Sequence, residues 1–392
     1  MTMRGPVIFT REFVLLNIVL GCASATMALF FQFHTYLLSL NIDPRWHGFL
    51  LGADAITGII LQPLLSPYLH GGNAKKVAAA GMCIMVAALG LYNFATTTAA
   101  IACVRIVHGG GFTVLVAAMM TLFAAYIPSG KSGEAIGLIS ITRLIPYAII
   151  PPVVVYLVGR SYGFIFIVTM AAGFMTLFLI PLALIRSVPD RGQDSGRAMG
   201  LGSLVENVKA VPVRMLLAVN LVFYSAYTTL FYFLKGFGTE KGVENPGFFF
   251  TVAMIAMIVV RLAGSRYFDR MRKARTAAVC MAVLAVCHVL VVFIQGSTAY
   301  LALGVAFGVL WGVGIPLTMA LLFDVSEARF RGLNMNLSLV MMQAGFFAGP
   351  LAGGFILAQW GYGILFLFCG LLNAAGVVLL AALPRSRVNS EQ

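Results

Sequence analysis

The sequence predicts an all-α polytopic membrane protein, with twelve transmembrane helices in two pseudo-symmetric six-helix bundles. Three observations carry that class. Hydrophobic residues make up 60% of the 392-residue chain and charged residues 10%, against roughly 25% charged in a soluble domain. A water-soluble globule of this length cannot cover such a core with so few charges. The mean hydropathy of +0.96 agrees, and a soluble enzyme, a disulfide-stapled secreted domain and a disordered chain are excluded. The apolar residues fall into twelve runs of about 20 residues, the length a helix needs to cross a hydrocarbon layer. The basic residues, finally, collect in alternate connections between those runs.

The spans are expected at 11–38, 46–69, 77–96, 99–124, 133–158, 163–186, 211–236, 246–267, 276–295, 298–323, 332–358 and 362–384. The first is long enough to cross and has no small-residue cleavage site behind it, so it reads as a transmembrane helix and not as a signal peptide. Breaks are expected where polar or turn residues gather: Asn41 to Pro44, His70 to Asn73, Pro128 to Lys131, and Thr239 to Pro246. The longest polar stretch, 187–210, divides the chain into an N-terminal six-helix bundle (1–186), a cytoplasmic linker (187–210) and a C-terminal six-helix bundle (211–392).

An even number of spans puts both ends on one side. Of the 26 basic residues, 19 fall in connections on that side, and only Arg45, Arg160 and Lys241 on the other. The positive-inside rule then places both termini in the cytoplasm, in a bacterial-type inner membrane. The net charge of +13 is thereby accounted for without a nucleic-acid partner.

The halves repeat. A shift of 199 residues carries Ser66-Pro-Tyr-Leu-His70 onto Ser265-Arg-Tyr-Phe-Asp269, Gly109 onto Gly308, Gly133 onto Gly332 and Pro151 onto Pro350. Two parallel repeats with an interface between them suit alternating access around a site near mid-membrane.

The second repeat carries Arg331-Gly332, Gly345, Gly349-Pro350, Gly353-Gly354 and Trp360-Gly361-Tyr362. The connection after the eighth span reads Gly264-Ser-Arg-Tyr-Phe-Asp269-Arg270-Met-Arg272-Lys273, and the fourth span carries Arg105-x-x-x-Gly109-x-Gly111. Together these resemble the eleventh helix, the G-x-x-x-D-R-x-x-[RK] loop and the intramembrane arginine motif of the major facilitator superfamily (MFS), and the resemblance covers essentially the whole chain. It implies the MFS fold, with helices two, five, eight and eleven at the interface between halves and one, four, seven and ten along the cavity. It also implies a cytoplasmic latch, expected here from Asp269, Arg270, Glu134 and Arg331. Two departures stand out: His70 occupies the place of the acid in the first-repeat loop, and the fifth span reads Pro146…Pro151-Pro152 where proton-driven exporters carry a Gly-rich GP motif. The second argues against a drug:proton antiporter.

The deep charges are Asp54, Arg105, Arg143 and Arg261, with Lys235 near an end of the seventh span. Each costs about 2.5–3.5 kcal/mol at the bilayer centre even on a lenient scale, so each is expected to face the bundle interior. Three deep arginines against one deep acid make a cationic cavity, which concentrates anions, and arginine matches carboxylate or phosphate in bidentate geometry. Arg143, Arg261 and Arg105 are therefore expected to bind substrate, together with Gln32, Tyr224, Tyr227, Trp311 and Gln343. The plainer reading makes Arg105 a scaffold residue capping neighbouring carbonyls, and the aromatics packing. Asp54 is expected to carry the coupling proton, with His34 and His108 as relays; a permanent Asp–Arg bridge is the alternative. His288 is read as structural or lipid-facing.

Cys22, Cys83, Cys103, Cys280, Cys287 and Cys369 sit in apolar runs without a CxxC pair, and the methionine pairs read as gap fillers. No metal and no cofactor is expected, and the chain carries no nucleotide-binding loop or catalytic triad spacing. The expected function is secondary active transport of a small organic, anionic solute by a monomer in the bilayer, coupled to protons, with sodium as the alternative ion. Efflux of cationic or neutral compounds and a non-transporting sensor on the same fold are the rival readings.

Overall fold

A computed structural model describes residues 9–65, 68–127, 132–186, 207, 209–268, 271–327 and 330–384. Asp269, Arg270 and nearly all of 187–210 lie outside the described residues, as does the side chain of Glu134. Among the described residues the chain is helical, with no strand.

Among the described residues, twelve helices follow in chain order. In the first half they are α1 (Arg11–Ser39), α2 (Pro44–Leu65), α3 (Gly71–Leu91), α4 (Thr98–Tyr126), α5 (Ser132–Gly159) and α6 (Phe164–Leu184). In the second they are α7 (Val211–Glu240), α8 (Phe248–Phe268), α9 (Lys273–Phe293), α10 (Ser297–Val325), α11 (331–360) and α12 (362–381). The last two are a continuous helical run, Arg331–Ala381, broken only at Gly361, whose φ of 76° takes it out of the helix. That conformation suits glycine alone among common residues. α1 is also interrupted, by a tighter 3₁₀ turn at Leu29–Gln32.

The ends have local causes. The Thr10 hydroxyl accepts from Phe13 N–H at 3.2 Å and Thr97 from Ala100 N–H at 3.3 Å, capping α1 and α4. α3 begins at Gly71, six residues ahead of the expected 77. His70 and Asn73 form a capping box there, and Lys75 Nζ donates to Ala183 O at 2.7 Å and Ile185 O at 2.6 Å. The polar residues read as a break are the cap and first turn of the helix, because a helix in the headgroup layer can carry polar side chains. For the same reason α7 runs on through Thr239 and Glu240.

Short connections make neighbours antiparallel. One membrane face, here the terminal face, holds the start of α1 and the end of α12; the opposite face is the far face. Within the first bundle α4 packs on α2 and α3, α1 on α5, and α3 on α6; within the second α10 packs on α8 and α9, and α7 and α9 on α11–α12. Between the bundles α2 packs on α11 and α5 on α8.

The 199-residue register is visible atom by atom. A Cβ on Gly109 would overlap the backbone of Asp54, and one on Gly308 would overlap the same atoms of Ala253. A Cβ on Gly48 would strike the backbone of Pro350 and Leu351, and one on Gly247 that of Pro151 and Pro152. Each pair differs by 199, so the same close approaches, made possible by small residues, build both bundles and both seams between them.

Candidate functional site

The seams close one face. Among the described residues, the hydrogen bonds joining the bundles are Lys235 Nζ to Thr35 Oγ1 (3.2 Å), Asn245 Nδ2 to Pro152 O (3.1 Å), Thr251 Oγ1 to Ala148 O (2.6 Å) and Arg105 Nη2 to Tyr232 Oη (3.2 Å). All lie in the far half of the membrane. Phe31 packs across the same junction against Phe231 and Phe250, with centroids 5.7 and 5.2 Å apart.

In the terminal half the bundles separate around a cavity of about 420 Å³. Its wall includes Gln62, Thr113, Thr121, Arg143, Asn336 and Gln343, from α2, α4, α5 and α11. Arg143 is half-buried here and makes no ion pair with any described carboxylate. Arg261, on α8, is also half-buried, and among the described residues it makes no ion pair and its Nε has no hydrogen-bond partner. The two guanidiniums are within electrostatic reach of each other and of Tyr224 and Tyr227. Under the repeat, Arg261 corresponds to Gln62 and Arg143 to Met342, and both counterparts line the cavity.

Aromatic rings stand within electrostatic reach of these arginines. Tyr227 meets Trp311 edge-on at 4.6 Å and stacks on Phe346 at 6.3 Å, while Tyr224 meets Phe346 at 5.6 Å. Tyr147, four residues beyond Arg143 on α5, packs against Phe231 at 5.5 Å. Among the described residues, no hydrogen bond engages the hydroxyls of Tyr147, Tyr224 and Tyr227.

The other deep arginine has a different setting. Arg105 is fully buried and Asp54 nearly so. Arg105 Nη2 is 2.5 Å from Asp54 Oδ1 and also reaches Leu51 O at 2.5 Å, while Nε donates to Leu50 O at 3.0 Å. Phe30 and Phe33 cover the guanidinium, with ring centroids 4.6 and 5.0 Å from Cζ. The pair lies beyond the inner end of the cavity, under the far-face seal, and its charges cancel.

The remaining candidates scatter. Buried Gln32, in the 3₁₀ turn of α1, leaves Oε1 without a partner. His34 lies edge-on to His47, centroids 5.3 Å apart, at the far seam, and its Nδ1 is unpartnered. His108 is packed against Phe30 and Tyr92, with both ring nitrogens unpartnered. Arg331 opens α11 with its guanidinium over Phe323 at 4.6 Å. His288 is fully buried, bonded to Leu284 O at 2.8 Å and edge-on to Phe307, a structural role. Sequence reasoning passed over Tyr147, Gln62 and Asn336. Tyr147 shares the helical face of Arg143 by its i+4 spacing, and Gln62 is where the repeat shift carries Arg261.

A family model described as Major Facilitator Superfamily matches residues 13–315 and 246–392. The chain belongs to this superfamily. Solved MFS structures share its fold. The nucleoside transporter NupG has 13% identity and a TM-score of 0.78, over 95% of this chain and 99% of that one. The human organic anion transporter MFSD10 (TETRAN) has 14% identity and a TM-score of 0.66, over 94% and 99%. A bacterial homolog of the human lysosomal transporter Spinster, inward-facing and unoccupied, has 12% identity and a TM-score of 0.74, over 94% and 93%. At these identities the likeness is one of fold. A search of curated proteins finds no match. Members of this superfamily are membrane transporters, and this chain is an integral membrane protein of that kind with a small-molecule cavity between its bundles.

Proposed function

We propose that this MFS transporter moves a small organic anion by secondary active transport, coupled to protons, and that the bundles at 1–186 and 211–392 rock about the site between them. The observation that carries the reading is the pair of Arg143, in the cavity wall, and Arg261, within electrostatic reach of it, with no described carboxylate to neutralise them. Such a pair in a low-dielectric recess lowers the energy of an incoming anion. Asp54 carries the coupling proton: protonation frees Arg105 from its ion pair and weakens what Arg105 holds across the far seam. The basic-residue asymmetry supports cytoplasmic termini in a bacterial-type inner membrane, so the cavity faces the cytoplasm.

The test is substrate exchange and pH-driven accumulation in proteoliposomes. Arg143→Ala or Arg261→Ala should weaken anion binding more than a hundredfold, and Arg→Lys less, since the charge remains but the planar fork is lost. Asp54→Asn should spare exchange and abolish accumulation. Tight binding of a cationic compound, indifferent to both arginines, would favour efflux of cations instead; equal loss of exchange and accumulation in Asp54→Asn would make Asp54 structural.

A further inference from the structure

Resting on the anion reading above, we infer that the transported anion is a flat aromatic carboxylic acid, its carboxylate held by Arg143 and Arg261 and its ring received by the tyrosine wall of α5 and α7. Two features of the wall point to a ring and not to an aliphatic chain. The first is where the aromatics stand. Arg143 and Tyr147 lie on one face of α5. Tyr224 and Tyr227 lie on α7 within electrostatic reach of both guanidiniums. Tyrosines of two helices thus stand within electrostatic reach of the guanidiniums. Aromatic pairs prefer offset-stacked or edge-to-face contacts with centroids 4.5–7 Å apart, and the Tyr227, Trp311 and Phe346 cluster already displays both, at 4.6 Å edge-on and 6.3 Å stacked. Trp311 is buried to 1% exposure behind Tyr227, so the wall is braced from the back and held ready.

The second feature is the set of phenol hydroxyls. Tyr147, Tyr224 and Tyr227 use no hydroxyl in hydrogen bonds among the described residues, whereas Tyr232, further along α7, accepts from Arg105 Nη2. These three hydroxyls are not among the buried unpartnered polar atoms, whereas Arg261 Nε is; a ligand that carries both an anionic group and ring-borne polar atoms would meet the guanidiniums and the phenols together. A carboxylate offers about four lone-pair positions, enough to take both arginines and relieve their mutual repulsion, while a ring hydroxyl meets the phenols. An aliphatic acid would satisfy the arginines and leave the phenols unmet.

The experiment compares three probes on purified protein in detergent by isothermal titration calorimetry: 4-hydroxybenzoate, cyclohexanecarboxylate of nearly equal size and charge, and neutral benzamide. We expect 4-hydroxybenzoate to bind at least tenfold tighter than either of the others. Tyr227→Leu should shrink its advantage over cyclohexanecarboxylate to about threefold or less, a ratio insensitive to the fraction of folded protein. Equal binding of the two acids with no binding of benzamide overturns the aromatic assignment and leaves the anion reading intact. Benzamide binding as tightly as 4-hydroxybenzoate overturns the anion reading itself. Absence of binding by all three, to protein with an intact thermal transition, overturns the assignment as well.

Discussion

The junction of α2 with α4 and the junction of α8 with α10 are the same piece of architecture built twice. In each, a glycine of the second helix, Gly109 or its repeat copy Gly308, presses on the backbone of the partner helix, at Asp54 or its repeat copy Ala253. The side chains then diverge. The first junction holds Asp54 and Arg105 in a buried ion pair; the second has Ala253 and Gly304 at the corresponding places. Since the second junction packs without charge, the fold does not require the pair. A buried ion pair is weak evidence for stability, because desolvation offsets much of the Coulomb attraction. What the fold tolerates but does not need, and what occurs in one half only, is best explained by work that one half performs. Arg105 also reaches Tyr232 of the other bundle, a link that relative motion of the bundles must break.

The largest test of this comparison is to unbalance each junction. Asp54→Ala strands a fully buried guanidinium, and Ala253→Asp buries a carboxylate with no arginine opposite. Each should cost about 3–5 kcal/mol of stability, read as a lowered unfolding transition in detergent. The double variant Asp54→Ala with Arg105→Ala should cost less than either single change at that junction, because no charge is left unpaired. If the double variant loses as much as the two singles summed, the two residues do not act as a pair and the contrast between the halves loses its functional meaning.

A smaller effect tests what the junctions share. Gly109→Ala and Gly308→Ala each place a methyl group against the backbone of the facing helix, and overpacking of this kind costs about 1–3 kcal/mol. The two losses should agree within about 0.5 kcal/mol, the usual error of additivity. A loss at one junction only would show that the charge pair, and not the glycine contact, sets the spacing there.

The smallest change is Tyr232→Phe. It keeps the ring against Phe231, centroids 5.2 Å apart, and removes the bond to Arg105. Stability should fall by about 1.5 kcal/mol or less, the net worth of one ordinary hydrogen bond, because Arg105 keeps its bonds to Asp54, Leu50 and Leu51. The population open at the far face should rise up to about tenfold, measured as labelling from that side of a cysteine replacing Met342 in the cavity wall. No change in labelling would separate the ion pair from the seal.

Much of the architecture was legible in the residue order. Twelve spans, their directions and the 199-residue register all follow from it, because burial of apolar surface accumulates along about 20 residues and needs no knowledge of neighbours. Polar helix ends were misread, as at Gly71–Lys76 and Thr239–Glu240, since a helix end in the headgroup layer is limited by capping and not by hydropathy. Which charges remain free belonged to the tertiary structure alone. Asp54 and Arg105 are 51 residues apart in sequence and 2.5 Å apart in space, so one of three expected cavity arginines is neutralised and withdrawn. Arg143 and Arg261 stay free because no described carboxylate comes within reach of either. Composition counts charges, but Coulomb energy depends on the distance between particular pairs, and only the packing of α2 against α4 and the parting of α5, α8 and α11 set those distances.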